Sequence, residues 1–222
     1  MAFIGKKPTA APLTSSDVAD GIITNAKLAQ DIISADTALG ATPADTDEFL
    51  VSDAGVLKRM DYSYIKGGIT EADQWRLNTS FTNSANPIAS NLERNDDNFT
   101  VIGTGMTESS GVFTFPSTGI WKIEFSPQML LNGDDRAYTF YINHTLNNGT
   151  DWTEIAYANL FVQQTASNST YNNGYTCAML DVTDTSNHKV AFRINVGNSS
   201  TTTQGDSGNN LTFMSFIRLG DT

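Results

Sequence analysis

The stretch that most constrains this chain runs from Gly111 to Phe125, G-V-F-T-F-P-S-T-G-I-W-K-I-E-F. Before Pro116, Phe113 and Phe115 share one face of an extended segment, with Thr114 opposite. After Gly119, Trp121, Ile123 and Phe125 share one face while Lys122 and Glu124 share the other. Successive side chains of a strand point to opposite faces, so this period-two alternation marks two half-buried strands. Pro116 fixes φ and donates no ladder hydrogen bond, and Gly119 tolerates φ > 0, so Pro-Ser-Thr-Gly is expected to reverse the chain between them. The stretch predicts a core hairpin of an antiparallel sheet.

The same pattern recurs throughout the chain beyond Gly67-Gly68, where every apolar run is short, alternating and bounded by Asn, Gly, Ser or Asp. Strands are expected near residues 75–81, 98–102, 111–115, 120–126, 136–143, 152–163, 175–182, 189–196 and 211–219. The run at 189–196 alternates most cleanly, with Val190, Phe192, Ile194 and Val196 on one face. With no helical window of useful length, the reading is all-β: an antiparallel jelly-roll sandwich of about 150 residues. The closing strand is apolar on both sides, with Leu211, Phe213, Ile217 and Leu219 on one face and Met214 and Phe216 on the other. Burial on both faces implies a subunit interface.

The double glycine divides the chain. Residues 1–33 are expected to form an N-terminal arm or anchor, since Pro8, Pro12 and the lack of periodicity suit a segment ordered only against a partner, with a short amphipathic helix at 25–33. Residues 34–68 read as a small hairpin module and linker. Two extended runs at 48–52 and 56–60 flank a three-residue loop, Asp53-Ala54-Gly55, and Asp61 is placed to N-cap a helical turn at 62–66. Residues 69–222 form the head. A lone hairpin is marginal in water, so the module is expected to pack against copies of itself or a host surface.

The formal net charge of −11 argues against nucleic acid and anionic membranes as partners, because both surfaces repel it. No stretch approaches the ~20 apolar residues that span a bilayer, and no apolar signal-peptide core follows Met1, so synthesis in a cytoplasm is expected. The single cysteine, Cys177, excludes an intrachain disulfide and reads as a small buried hydrophobe.

F-T-F-P-S-T-G-I-W-K-I-E-F resembles the signature strand pair of tumour-necrosis-factor-like and complement-globular-head-like trimeric jelly rolls. Tyr138-Thr-Phe-Tyr-Ile-Asn143, Leu180-Asp-Val followed by Val190-Ala-Phe-Arg-Ile, and the closing Leu211-Thr-Phe-Met-Ser-Phe-Ile fall where that pattern expects them. The match covers residues 75–219. The preceding segment, A-D-T-D-E-F-L-V-S-D-A-G-V-L-K-R-M-D-Y-S-Y-I-K-G, resembles a module of tail-fibre and other virion appendage proteins of tailed bacteriophages. Together these imply a homotrimeric phage fibre or spike, located on the virion, tied to other virion proteins by its N-terminus and presenting a receptor-binding head. The alternative is a capsid decoration or head-fibre protein. Tyr138, Phe140, Phe213 and Phe216 are the expected trimer-interface residues.

Catalytic and metal signatures are absent from the pattern. His144 and His188 stand outside His-x-x-x-His or cysteine-containing spacings and read as loop residues. Asp96-Asp97 and Asp134-Asp135 lie in Asn/Gly-rich turns, where Asp serves local backbone hydrogen bonds more readily than Ca²⁺ or glycosidase chemistry. There is no Gly-x-Ser-x-Gly elbow or Walker loop. The reading is therefore non-enzymatic, with no catalytic residue, cofactor or metal. The loops at 143–151, 164–174 and 197–210 are dense in Asn, Thr, Ser, Gly and Tyr, which suits host surface glycans. Tyr171, Tyr175 and Asn172 are the candidate glycan contacts.

Overall fold

The computed structural model describes residues 38–65, 67–97 and 99–222, and the expected arm and its short helix lie outside them. The described chain forms two compact units that meet at Gly67-Gly68. In the first, β1 (Glu48–Asp53) pairs antiparallel with β2 (Val56–Asp61). Because Asp53 pairs directly with Val56, the loop is the two residues Ala54 and Gly55, both at positive φ (49° and 85°), and not the expected three. Two positive φ values make the tight turn whose twist matches that of the strands. A 3-10 turn, Tyr62–Tyr64, follows; Asp61 stands at its N-cap, but its side chain makes no capping bond.

The second unit is all-β, and its strands form three sheets. One runs in the order β11 (Thr153–Val162), β10 (Asp135–Thr145), β14 (Lys189–Asn195), β7 (Val112–Thr114), β6 (Thr107–Ser109). The facing sheet runs β13 (Thr176–Val182), β8 (Gly119–Ser126), β16 (Phe213–Gly220), β3 (Ala72–Leu77), β5 (Leu92–Arg94). A four-stranded sheet, β12 (Thr170–Asn173), β9 (Gln128–Leu131), β15 (Thr202–Asp206), β4 (Thr79–Thr82), completes the jelly roll. Every strand pairing among the described residues is antiparallel, and most join strands distant in sequence, as the crossing connections of a jelly roll require.

The stretch at 111–125 is not a hairpin. β7 pairs with β6 and β14 in one sheet, whereas β8 pairs with β13 and β16 in the other. Pro116–Gly119 thus carries the chain across the sandwich. Phe113 and Phe115 point inward from one wall, and Trp121, Ile123 and Phe125 from the opposite one, all buried. Gly119 is required there by crowding as well as by its φ of 138°, since a Cβ would meet Arg218 Nε and Gly220 O at 2.5 Å.

The core is a chain of aromatic contacts. Phe113 packs on Phe216 (centroids 5.1 Å) and on Phe192 (5.5 Å), Phe192 on Phe125 (5.0 Å), and Phe125 edge-on to Phe140 (5.8 Å). Such rings bury large apolar areas and favour tilted or edge-to-face geometry, which fixes the spacing of the sheets. Between β3 and β5 the carboxylate of Asp73 is buried. It accepts from Arg94 Nε (3.0 Å), Trp75 Nε1 (2.9 Å) and the Met106 amide (2.7 Å). A buried charge is tolerable only with partners of this kind.

Three further expectations fail. The run at 98–102 forms no strand among its described residues; Ile102 makes only a bridge to Ala72. Cys177 is exposed, because β13 turns Ala178 and Leu180 inward and Cys177 and Met179 outward. The presumed loops at 164–174 and 197–210 contain β12 and β15, whose Asn, Thr and Gly content conceals them from propensity.

Candidate assembly flank and outer-sheet trough

All three sheets of the head end on one side, at β11, β12 and β13. β11 lies against both of the others, and the Asn172 side-chain amide donates to the Phe161 carbonyl (2.8 Å), tying β12 to β11. Edge strands carry unpaired N–H and C=O groups, and here they also carry exposed apolar side chains: Tyr157 and Phe161 on β11, Tyr171 on β12, and Tyr175 and Met179 beside or on β13. Phe161 and Met179 are 64% and 63% exposed. Tyr157, whose ring packs on Tyr141 (5.8 Å), and Phe161 turn to the outer face of their sheet, while Tyr175 and Met179 lie beside Glu124 and Lys122 of the facing sheet, so the exposed groups border the edges from both sides.

The structure places the expected interface residues, Phe213 apart, elsewhere than at a surface. Tyr138, Phe140 and Phe216 are wholly buried within the single chain, so they hold the core and have no surface to offer a partner. Tyr138 instead hydrogen-bonds Thr203 Oγ1 (3.0 Å), and burial drives its hydroxyl pKa far up. Phe213 alone of the four is partly exposed, on the outer side of β16. The aromatic residues of a central strand are legible from sequence; whether they face inward or outward is decided by which sheet covers them.

The candidate glycan contacts are placed as follows. Tyr171 is exposed on β12. Tyr175 is exposed, and its hydroxyl donates to Glu124 Oε1 (2.7 Å). That bond, with burial second, raises the tyrosine's pKa. Burial pushes Glu124 up, but the Lys122 and Tyr175 hydrogen bonds outweigh it, and the carboxylate lies below its ordinary value. Asn172 spends its amide on Phe161 and belongs to a strand, not a turn. These three residues therefore form part of the flank and do not converge on a pocket.

The acidic pairs serve the fold. Asp96 and Asp97 flank the buried guanidinium of Arg76 (2.7 and 3.2 Å), and Asp135 accepts from Thr201 Oγ1 and the amides of Ala137 and Gly197. His144 lies inside β10 and is not the loop histidine expected; His188 does lie in the connection before β14, and both are buried.

A concave site lies elsewhere, on the outer face of the β11–β10–β14–β7 sheet, where a trough of ≈ 420 Å³ crosses the strands. Val112, Asn143 and Ala191 stand in register across β7, β14 and β10 and form its floor. Pro87 and Trp152 stand at its sides. Arg193 is fixed three ways: it donates to Glu154 Oε1 (3.0 Å) and Asn195 Oδ1 (3.2 Å), and its guanidinium lies 4.5 Å from the centroid of the Tyr141 ring. Asn143 is only 7% exposed, and its Oδ1 is buried with no protein hydrogen-bond partner. Sequence reading missed this group because its members come from five separate segments. The signal present was Trp152 beside a polar loop.

No family model matches the sequence, and no curated protein does either. Solved structures do match by fold. Eiger TNF from S. frugiperda superposes with a TM-score of 0.54 at 12% identity, over 70% of this chain and 96% of that one. Murine APRIL gives a TM-score of 0.45 at 11% identity, over 67% and 98%. With its two facing five-stranded antiparallel sheets, the head is a tumour-necrosis-factor-like jelly roll.

Proposed function

We propose that this protein is a non-enzymatic virion structural protein. In this reading it is a homotrimeric bacteriophage fibre or spike whose N-terminal third attaches to the particle and whose jelly-roll head engages the host surface. The observation that carries it is the flank of β11, β12 and β13, where three unpaired edges coincide with exposed Tyr157, Phe161, Tyr171, Tyr175 and Met179. A chain that leaves such apolar groups in water gains by covering them with another copy of itself. The hairpin module supports the attachment role, since Leu50 and Leu57 stand exposed beside one another on the face also carrying the Arg59–Glu48 ion pair. Sedimentation of the full chain at micromolar concentration should give the mass of three chains; a folded monomer overturns the proposal. Electron cryomicroscopy of particles should then place the trimer on the tail, and density on the shell instead would assign capsid decoration.

A further inference from the structure

The outer-sheet trough has three chemical features that belong together. Its lining is partly apolar and planar: Trp152, 37% exposed, and Pro87 line it together with Val112 and Ala191. Its polar groups, Asn86, Asn143, Glu154 and Arg193, are few and come from separate strands or loops. Arg193 and Glu154 neutralise one another at 3.0 Å, so the trough offers hydrogen bonds without a net charge. Asn143 Oδ1 lies buried beneath the floor without a protein hydrogen-bond partner among the described residues, which marks this part of the sheet as costly to keep apolar.

From this we infer that the trough is a binding site for a neutral pyranose unit of a surface glycan, with Trp152 against the sugar's C–H face and the polar lining groups Asn86, Glu154 and Arg193 hydrogen-bonding its hydroxyls. A pyranose has one apolar face and a rim of hydroxyls that both donate and accept, the combination these walls and polar groups match. The size fits the range of small-ligand clefts. An anionic ligand would meet a guanidinium already satisfied and a chain of charge −11, and a cationic one would have to displace Arg193 from Glu154. The inference rests on the receptor-binding reading of the head but moves contact away from Tyr171 and Tyr175, which belong to the flank. Each site holds few hydrogen bonds, so single sites are weak, and linked copies in a trimer strengthen attachment through effective concentration.

The test uses the full-length protein and the methyl glycosides of glucose, galactose, mannose and N-acetylglucosamine, with binding read by saturation-transfer NMR on the sugar signals. At least one glycoside should bind the wild type saturably. Trp152→Ala should weaken that binding about tenfold or more. Val112→Trp should abolish it by filling the floor while keeping a residue that strands accept. Tyr171→Ala should leave it unchanged. Thermal unfolding of each variant identifies any loss that is merely a loss of fold. Saturable binding that survives both Trp152→Ala and Val112→Trp overturns the site while leaving a glycan-binding head intact. Absence of binding by every glycoside overturns the saccharide assignment, and the receptor-binding reading then stands or falls separately on adsorption of particles carrying the Val112→Trp head.

Discussion

The imidazole rings of His144 and His188 lie with centroids 5.2 Å apart and planes tilted by 59°. His144 pairs with Val190 across β10 and β14, so His188, two residues earlier, is its diagonal neighbour on the core-facing side. Both are over nine-tenths buried, and Nε2 of His144 and Nδ1 of His188 have no hydrogen-bond partner. Burial first, and His188 second, lower the His144 pKa from 6.5 to about 4.

That depression makes the head acid-sensitive in a defined window. Between pH 6.5 and 4 the unfolded chain binds a proton at His144 that the folded chain refuses, so acid favours unfolding. The contribution is complete above about pH 6.5 and is lost as pH falls towards 4, up to about 3 kcal/mol. Urea unfolding at pH 7 and pH 4.5 should show a larger loss for the wild type than for His144→Gln. Equal losses would mean that carboxylates alone set the acid response.

Asp73 anchors β3 beside β5 through Arg94, Trp75 and the Met106 amide. Asp73→Ala leaves those donors without their acceptor and should cost about 3 kcal/mol in denaturant unfolding. Lys58→Ala, which removes an ion pair exposed on both sides, should cost under about 1 kcal/mol.

Phe216 is buried between the sheets against Phe113 and Phe192 (5.9 Å to the latter). Phe216→Ala should destabilise the head by about 3–5 kcal/mol, and Phe216→Asp should prevent folding. Loss of the near-ultraviolet circular dichroism signal would accompany the aspartate variant. A folded, monomeric Phe216→Asp head would contradict the burial described above.

The flank variants should behave in the opposite way. Phe161→Glu combined with Met179→Glu places charges on a surface that is exposed in one chain, so the fold should persist while the three-chain mass falls to one. Sedimentation and near-ultraviolet circular dichroism together distinguish the two cases. In the wild type, assembly should also make the melting temperature rise with protein concentration.

Alternation in the sequence determined that this is an all-β head and which side chains enter its core: Phe113, Phe115, Trp121, Ile123 and Phe125 are buried as their spacing requires. It was silent on whether Pro116–Gly119 joins two neighbours or crosses between sheets, because a hairpin and a crossing impose the same period of two on the residues either side. Only the pairing of β7 with β14 and of β8 with β16 decided it. The same limit applies to the residues expected at an interface. Tyr138, Phe140 and Phe216 announce burial, but not whether a second sheet or a second chain provides it, and the facing sheet turned out to do so. Asn143, Trp152, Glu154 and Arg193 carry no joint signal in the sequence, since their proximity arises from the register of β10, β11 and β14, and register is a property of the folded sheets.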